Sequence, residues 1–484
     1  MMQMTNSRKT IFGTFWNVTL NFFNQASALI IYALLARILD VQDFGLIAFC
    51  FLITEMALLF GNFGVNQILI QRNRWSDRLA STCYWFLVAI AIFFALVIVG
   101  IVAPLSDHYF YKNSGLMLSF LALVPVINSF SLVSLARMQR NFQNKDITKI
   151  NVLGTTVGGG LSIYLVFSGY SVWAVIIGRV LQTIITSYII IYVDKFRPKY
   201  SIDKKIVTHL ANFGLPLFYN TCLNFVSQRS INLVTAFVLG STQFAFVSVA
   251  QRAFRMISEI TVTPLNGILL PSFSRVKEKH NLTAVYVRVV RLAATIIVPI
   301  YIGIAALSQE IVYLVFGPQW SISASILAIL CFTIIPNILV WFLPALLISR
   351  SHTKVAFKSN LISTLSNLVF CSIGASISLE YAVIGLLLSF TVTAPFKFFL
   401  ANQYVTVKAF DVIMAASPAI LSAIFMYTAC FFLSREVDND LPILLLVLYK
   451  GILGTFVYIT SMLVVFRKYT MDTLELFVSA LKSN

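Results

Sequence analysis

Residues 79–104 read LASTCYWFLVAIAIFFALVIVGIVAP, without one charged side chain. About 20 apolar residues in helical form cross the hydrocarbon core of a bilayer, so this stretch is long enough to span one. A spanning β-strand needs only about 10 residues and alternates strictly between apolar and polar, whereas this run is continuous. Comparable runs recur at 11–36, 44–70, 115–136, 150–168, 171–193, 213–239, 243–271, 292–316, 321–349, 355–376, 381–401, 412–433 and 443–466. The pattern predicts an all-α polytopic membrane protein with about 14 transmembrane helices.

The composition agrees. Hydrophobic residues make up 59% of the 484 positions and charged residues 11%, with a mean hydropathy of +0.87. A soluble domain carries roughly 25% charged residues, so this chain lacks the polar surface to cover a water-facing body. Disorder, coiled coil and a disulfide scaffold are excluded by the same figures. The net charge of +17 does not point to nucleic acid, because the basic residues sit in short connections between apolar runs and so report topology. The six cysteines form no C-x-x-C pair and the four histidines have no metal-ligand spacing, so neither disulfides nor a metal is expected. No Walker-type phosphate loop occurs, and Gly158-Gly159-Gly160 lies inside a span, where close helix packing is the simpler reading. No nucleophile–base or carboxylate pair stands out. The chain is expected to be a transporter without cofactors rather than an enzyme.

Alternate connections hold 27 basic residues against four, the four being Arg37, Lys112, Arg435 and Lys450. By the positive-inside rule this split is expected to place both termini in the cytoplasm. The first span is too long for a signal-peptide core and reads as an uncleaved helix. Residues 469–484 carry Leu474, Phe477, Val478 and Leu481 at helical spacing, which suits an interfacial helix.

The chain also repeats itself. Leu20-Asn21-Phe22-Phe23-Asn24-Gln25-Ala26-Ser27 and Leu223-Asn224-Phe225-Val226-Ser227-Gln228-Arg229-Ser230 share five of eight positions at an offset of 203. Six helices separate the copies, so the halves have the same orientation, as in parallel-repeat transporters. The expected organisation is a six-helix lobe at 1–200, a second at 201–405, and an extra helix pair with a cytoplasmic tail at 406–484.

Leu35-Ala36-Arg37-Ile38-Leu39 followed by Asp43-Phe44-Gly45 resembles the signature after the first helix of bacterial polysaccharide transporters. These are the Wzx-type O-antigen and exopolysaccharide flippases of the MOP superfamily. Phe63-Gly64, Leu270-Pro271-Ser272-Phe273-Ser274-Arg275 and Val315-Phe316-Gly317-Pro318-Gln319-Trp320 fit the same pattern. The resemblance implies alternating access by two lobes and an undecaprenyl-pyrophosphate-linked oligosaccharide substrate, serving lipopolysaccharide, capsule or exopolysaccharide biosynthesis. Expected partners are that substrate, membrane lipids, a coupling cation or proton, and polysaccharide polymerase and glycosyltransferases.

Glu55, Arg179, Arg229, Arg252, Arg255 and Glu259 fall well inside spans. A charge at mid-membrane costs about 2.5–3.5 kcal/mol on insertion scales, so each should face a wet cavity or a partner. Ser248, Arg252, Arg255, Glu259 and Thr263 share one helix face, and Asn17, Asn21 and Asn24 form a similar stripe on the first helix. The candidate substrate-binding set is Arg229, Arg252, Arg255, Glu259, Asn17, Asn21, Asn24, Arg179 and Glu55. Each has a structural alternative: Arg255 with Glu259 and Arg179 with Glu55 as neutralising pairs, Arg229 reaching for the interface, the asparagines bonding between helices. Glu259 has two readings, as orienter of Arg255 or as a titrating group. Four Arg against two Glu favour a pyrophosphate headgroup, which guanidinium forks bind bidentately. The alternatives are a cation-coupled drug or metabolite antiporter of the same superfamily, which would want an acidic pocket, and a non-transporting scaffold, which needs no wet interior.

Overall fold

Backbone N–H and C=O groups in lipid must be paired within the chain, and a continuous apolar segment does so by coiling into a helix. The computed structural model describes residues 25–62, 64–71, 75–109, 113–262, 279–405, 407–433 and 442–482, and it shows helices and no strand among them. Ten of the helices are long and apolar enough to cross a membrane. The protein is a multi-pass membrane protein.

The described residues form two compact units, which divide inside one helix. The first extends to Phe225 and takes in Gly240–Ala245, and the second holds Val226–Leu239 and the chain from Phe246 onward. The first unit contains α1 (Gln25–Ile38), α2 (Val41–Asn62), the short α3 (Val65–Gln71), α4 (Asp77–His108), α5 (Ser114–Arg140), α6 (Asn144–Phe167) and α7 (Ser171–Asp194). Helix α8 (Lys204–Val234) crosses the division. The second unit contains most of α9 (Ser241–Thr261), then α10 (Lys279–Ala306), α11 (Ser308–Phe316), α12 (Pro318–Ser349), α13 (Thr353–Ala375), α14 (Leu379–Asn402), α15 (Ala409–Leu433), α16 (Ile443–Val464) and α17 (Arg467–Lys482).

Proline shapes several spans. Pro104 has no N–H to return to the preceding turn, and α4 widens into a π-turn at Ile98–Val102 just before it. Helix α12 is interrupted after Phe332 and again after Val340, in each case shortly before a proline, Pro336 and Pro344.

Small residues set the closest helix contacts. A Cβ on Gly178 of α7 would lie 2.5 Å from the carbonyl oxygen of Gly158 of α6, and one on Gly154 would lie 2.3 Å from Thr186 Cγ2. In the second unit a Cβ on Gly374 of α13 would lie 2.1 Å from the Tyr381 carbonyl oxygen, and one on Gly385 of α14 would lie 2.3 Å from that of Phe370. Each unit therefore contains an antiparallel hairpin pressed together at glycines. Large apolar side chains face outward, as bilayer-facing surfaces require: Leu96 is 66% exposed and Val464 72%.

Three of the expected spans fall short of span hydropathy. The runs at 213–239 and 355–376 correspond to α8 and α13, and the described part of the run at 243–271 to α9, all rich in polar residues; 263–271, like 11–24 of the first expected span, lies outside the described residues. Two further corrections concern charge. Lys450, assigned above to the outer connections, lies inside α16 and is buried. Arg288 and Arg291, two of the 27 basic residues counted in the cytoplasmic connections, lie on α10, so the helix extends from that connection at Lys279. The tail forms α17, a helix as its apolar spacing predicts, and its Tyr469 hydroxyl donates to the carbonyl of Ala415 at 2.9 Å.

Candidate functional site

The turn motifs that carry the family resemblance serve the scaffold. Ser171 Oγ donates to Asp43 Oδ2 at 2.6 Å, tying the start of α7 to the start of α2. A Cβ on Gly45 would lie 2.1 Å from the carbonyl oxygen of Ser241, so only glycine admits α9 there. Gly317 has φ +106°, which turns the chain between α11 and α12. Trp320 beyond it is fully buried and meets Phe246 edge to face at 5.8 Å. Leu270–Arg275 and Phe63 lie outside the described residues.

The first unit holds Glu55 on α2 and Arg179 on α7, both half-buried. The charge of Glu55 acts on the Arg179 guanidinium. Arg179 Nη1 donates to Gln182 Oε1 at 3.1 Å, and Gln182 Nε2 donates to Thr155 Oγ1 of α6 at 3.0 Å. The glycine contacts of the α6–α7 hairpin bring Thr155 within reach of Gln182. Glu55 also borders a cleft of about 370 Å³ shared with Asn62, Gly64, Phe218 and Thr221. Asn62 Oδ1 is buried there without a hydrogen-bond partner. Arg179 thus sits in a polar network with Gln182 and Thr155, and Glu55 sits beside a cleft.

The second unit holds the other four charges. Arg229 lies on α8, and Arg252, Arg255 and Glu259 lie on α9. The three arginines are half-buried and Glu259 is exposed. Arg229 and Arg252 engage neighbouring groups, while Arg255 and Glu259 form no ion pair with each other. The first half of α9 is enclosed, with Phe244 to Gln251 all buried, and the arginines begin where that enclosure ends. Ser248 Oγ, one turn before Arg252, is buried without a hydrogen-bond partner. Guanidinium groups on such a helix favour an anionic ligand, because their fork matches phosphate oxygens. Asn17, Asn21, Asn24 and Thr263 lie outside the described residues.

Two embedded charges escape a reading of the sequence. The side chains of Glu310 on α11 and Lys450 on α16 are each 8% exposed, and Lys450 Nζ lies 2.5 Å from Glu310 Oε1. The signal was present as a lone acid and a lone base inside two apolar runs. Their separation of 140 residues hid the pairing.

The sequence model of a family described as "Polysaccharide biosynthesis protein" matches residues 34–325, more than half of the chain. Relatives include the succinoglycan biosynthesis transport protein ExoT of Rhizobium meliloti, 19% identical over 61% of this chain and 60% of that protein. The lipopolysaccharide biosynthesis protein WzxC of Escherichia coli is 22% identical over 75% of this chain and 74% of its own length. Among solved structures, the lipid II flippase MurJ in an inward closed conformation superposes with a TM-score of 0.76 at 14% identity, covering 93% of this chain and 99% of that one. An inward-facing MATE family multidrug transporter of the MOP superfamily gives a TM-score of 0.59 at 15% identity, covering 79% and 94%. At these identities the structural likeness establishes the fold. The family match adds the lineage, and the chain belongs to the polysaccharide biosynthesis protein family, built on the fold of the MOP transporters.

Proposed function

We propose that this protein is a flippase that carries an undecaprenyl-pyrophosphate-linked oligosaccharide across the bacterial inner membrane by alternating access, for assembly of a surface polysaccharide. The observation that carries the reading is the placement of Arg229, Arg252 and Arg255, half-buried, on the polar-rich helices α8 and α9 of one unit. Moving a hydroxyl-rich anionic headgroup through hydrocarbon strips several kcal/mol of solvation from each polar group. A basic, hydrated path replaces that solvation while the lipid tail stays in the bilayer. The arginines hold the pyrophosphate, and Asn17, Asn21 and Asn24 offer hydrogen bonds to sugar or phosphate. Glu55 and Arg179 provide a second polar surface.

The two moving bodies are the lobes at 1–200 and 201–405, with 406–484 as an added helix pair and tail, and both termini are cytoplasmic. The parallel repeat is supported by the two glycine hairpins. Gly178 and Gly385 stand at equivalent contacts. So do Gln182 and Ser389, which bond across their hairpins to Thr155 and Ser366, and both pairs of positions differ by 207 residues. Glycosyltransferases supply the substrate, a polymerase consumes it, and a cation or proton drives the cycle.

The test replaces Arg229, Arg252 and Arg255 one at a time by Ala and by Lys and measures exported surface polysaccharide at matched expression. Ala should abolish export at one or more positions, and Lys should restore it poorly because an ammonium cannot reproduce bidentate geometry. Wild-type export in all three Ala variants would refute the assignment.

A further inference from the structure

The second unit also contains a cavity of about 500 Å³, lined by none of Arg229, Arg252 and Arg255. It opens where α11 and α14 begin, α15 ends and α16 begins. Its walls include Glu310, Lys450, Glu380, Tyr427, Phe332 and Phe431. Lys450 neutralises Oε1 of Glu310, but Oε2 is buried with no hydrogen-bond partner. A buried carboxylate oxygen is a strong acceptor, and leaving it unpaired is unfavourable. Glu380 supplies a second carboxylate to the same wall. Beside them Phe332 and Tyr427 form an edge-to-face pair, with ring centroids 5.1 Å apart at 76°.

The chemistry of these walls selects the ligand. Glu310 Oε2 is buried out of a ligand's reach, so the exposed carboxylate of Glu380 is the acceptor this wall offers to hydrogen-bond donors. Aromatic side chains offer rigid apolar surface with a polar tip at Tyr427. A ligand with hydroxyls on its edges and C–H groups on its faces satisfies both, and that description fits a pyranose. The volume lies within the range of about 300–1,000 Å³ typical of small-molecule pockets. A bare metal ion fits poorly, because such ions take oxygen ligands at about 2.0–2.6 Å from all sides. Among the described residues no group of three or more His, Cys, Asp or Glu side chains is arranged to hold one. Two Glu against one Lys leave the wall negative, so acidic sugars are disfavoured.

We propose that the cavity bounded by Glu310, Glu380 and Tyr427 is a binding site for a neutral or amino sugar, separate from the arginines of α8 and α9. This rests on the flippase reading and deepens it: the site would hold a sugar unit of the transported glycan.

The experiment uses the full chain in nanodiscs and saturation-transfer difference NMR with D-glucose, D-galactose, N-acetyl-D-glucosamine, D-glucosamine and D-glucuronate as probes. Two variants accompany the wild type, Glu380→Gln and Ala328→Trp. Glu380 is exposed and Ala328 lines the cavity half-buried, so the first keeps the test usable if the second fails to fold. The expected result is transfer to at least one neutral or amino sugar, weak transfer to glucuronate, and a loss of about tenfold in affinity, ~1.4 kcal/mol, in either variant. No transfer to any probe, or equal transfer in both variants, would overturn the proposal. So would a rise in Tm with sodium chloride over choline chloride that Glu380→Gln abolishes, in the absence of sugar binding. The flippase reading is judged separately by the arginine variants: export that depends on them with no sugar binding removes this site alone.

Discussion

The carbonyl oxygen of Gly158 lies where a Cβ on Gly178 would come within 2.5 Å of it, and Ser162 Oγ would be 1.9 Å from the same Cβ. Helices α6 and α7 touch backbone to backbone at this point, and no larger residue fits. Gly178→Val should therefore destabilise the protein by about 1–3 kcal/mol through overpacking, read as a lower Tm in detergent. At Gly160, two positions beyond Gly158, a Cβ would meet nothing within 4 Å. Gly160→Ala should leave Tm unchanged or raise it slightly, since alanine favours the helix.

Glu55 and Arg179 should prove coupled. Removing one charge leaves the other half-buried without its counter-charge, whereas removing both does not. A double-mutant cycle with Glu55→Gln and Arg179→Gln should give an interaction energy of about 0.5–3 kcal/mol, with the double variant more stable than the sum of the singles predicts. Strict additivity in Tm would show that the two charges act independently.

Breaking a buried ion pair from one side is costlier than removing it whole. Lys450→Met leaves the Glu310 carboxylate buried and alone, so a loss of about 3–5 kcal/mol is expected. Adding Glu310→Gln to it should recover part of that loss. The measurement is thermal or denaturant unfolding of the three variants against wild type.

Much of the fold is legible in the sequence because lipid imposes one rule on all spans: a long apolar run with no charge must be a helix. The length of 79–104 alone makes the point. The positions of Arg179, Arg229, Arg252 and Arg255 within helices are equally legible, since an arginine interrupting an apolar run is visible in one dimension. What escapes is pairing. Glu310 and Lys450 each look like a lone charge in an apolar run until the chain brings them together. Lys450 reads as a loop residue because a span is expected to exclude it, yet a paired charge is tolerated there. The runs at 213–239, 243–271 and 355–376 read as spans, yet α8, α9 and α13 are too rich in polar side chains to reach span hydropathy among the described residues.

Helix α17 is anchored chiefly through Tyr469. The Tyr469 hydroxyl donates to the Ala415 carbonyl at 2.9 Å, and Arg291 Cζ lies 4.6 Å from the centre of its ring. Burial holds its phenol above the ordinary value of 10.0. A raised folded-state value favours the neutral form, so this contribution is present below pH of about 10 and is lost as pH rises through the folded value. Tyr469→Phe should lower stability by about 0.5–1.5 kcal/mol and abolish that alkaline dependence. Asp472→Asn should change little, because the Arg291–Asp472 pair at 3.8 Å is partly exposed and such pairs contribute about 0–1 kcal/mol.

The most direct test of the central claim is flipping in a purified system. The full chain is reconstituted in liposomes containing a fluorescent undecaprenyl-pyrophosphate-linked oligosaccharide, and a membrane-impermeant quencher reports the fraction on the outer leaflet over time. Wild-type protein should exchange the lipid between leaflets, and a variant with Arg229, Arg252 and Arg255 all replaced by Ala should not. Exchange no faster than in protein-free liposomes, or equal exchange by the triple variant, would contradict the account.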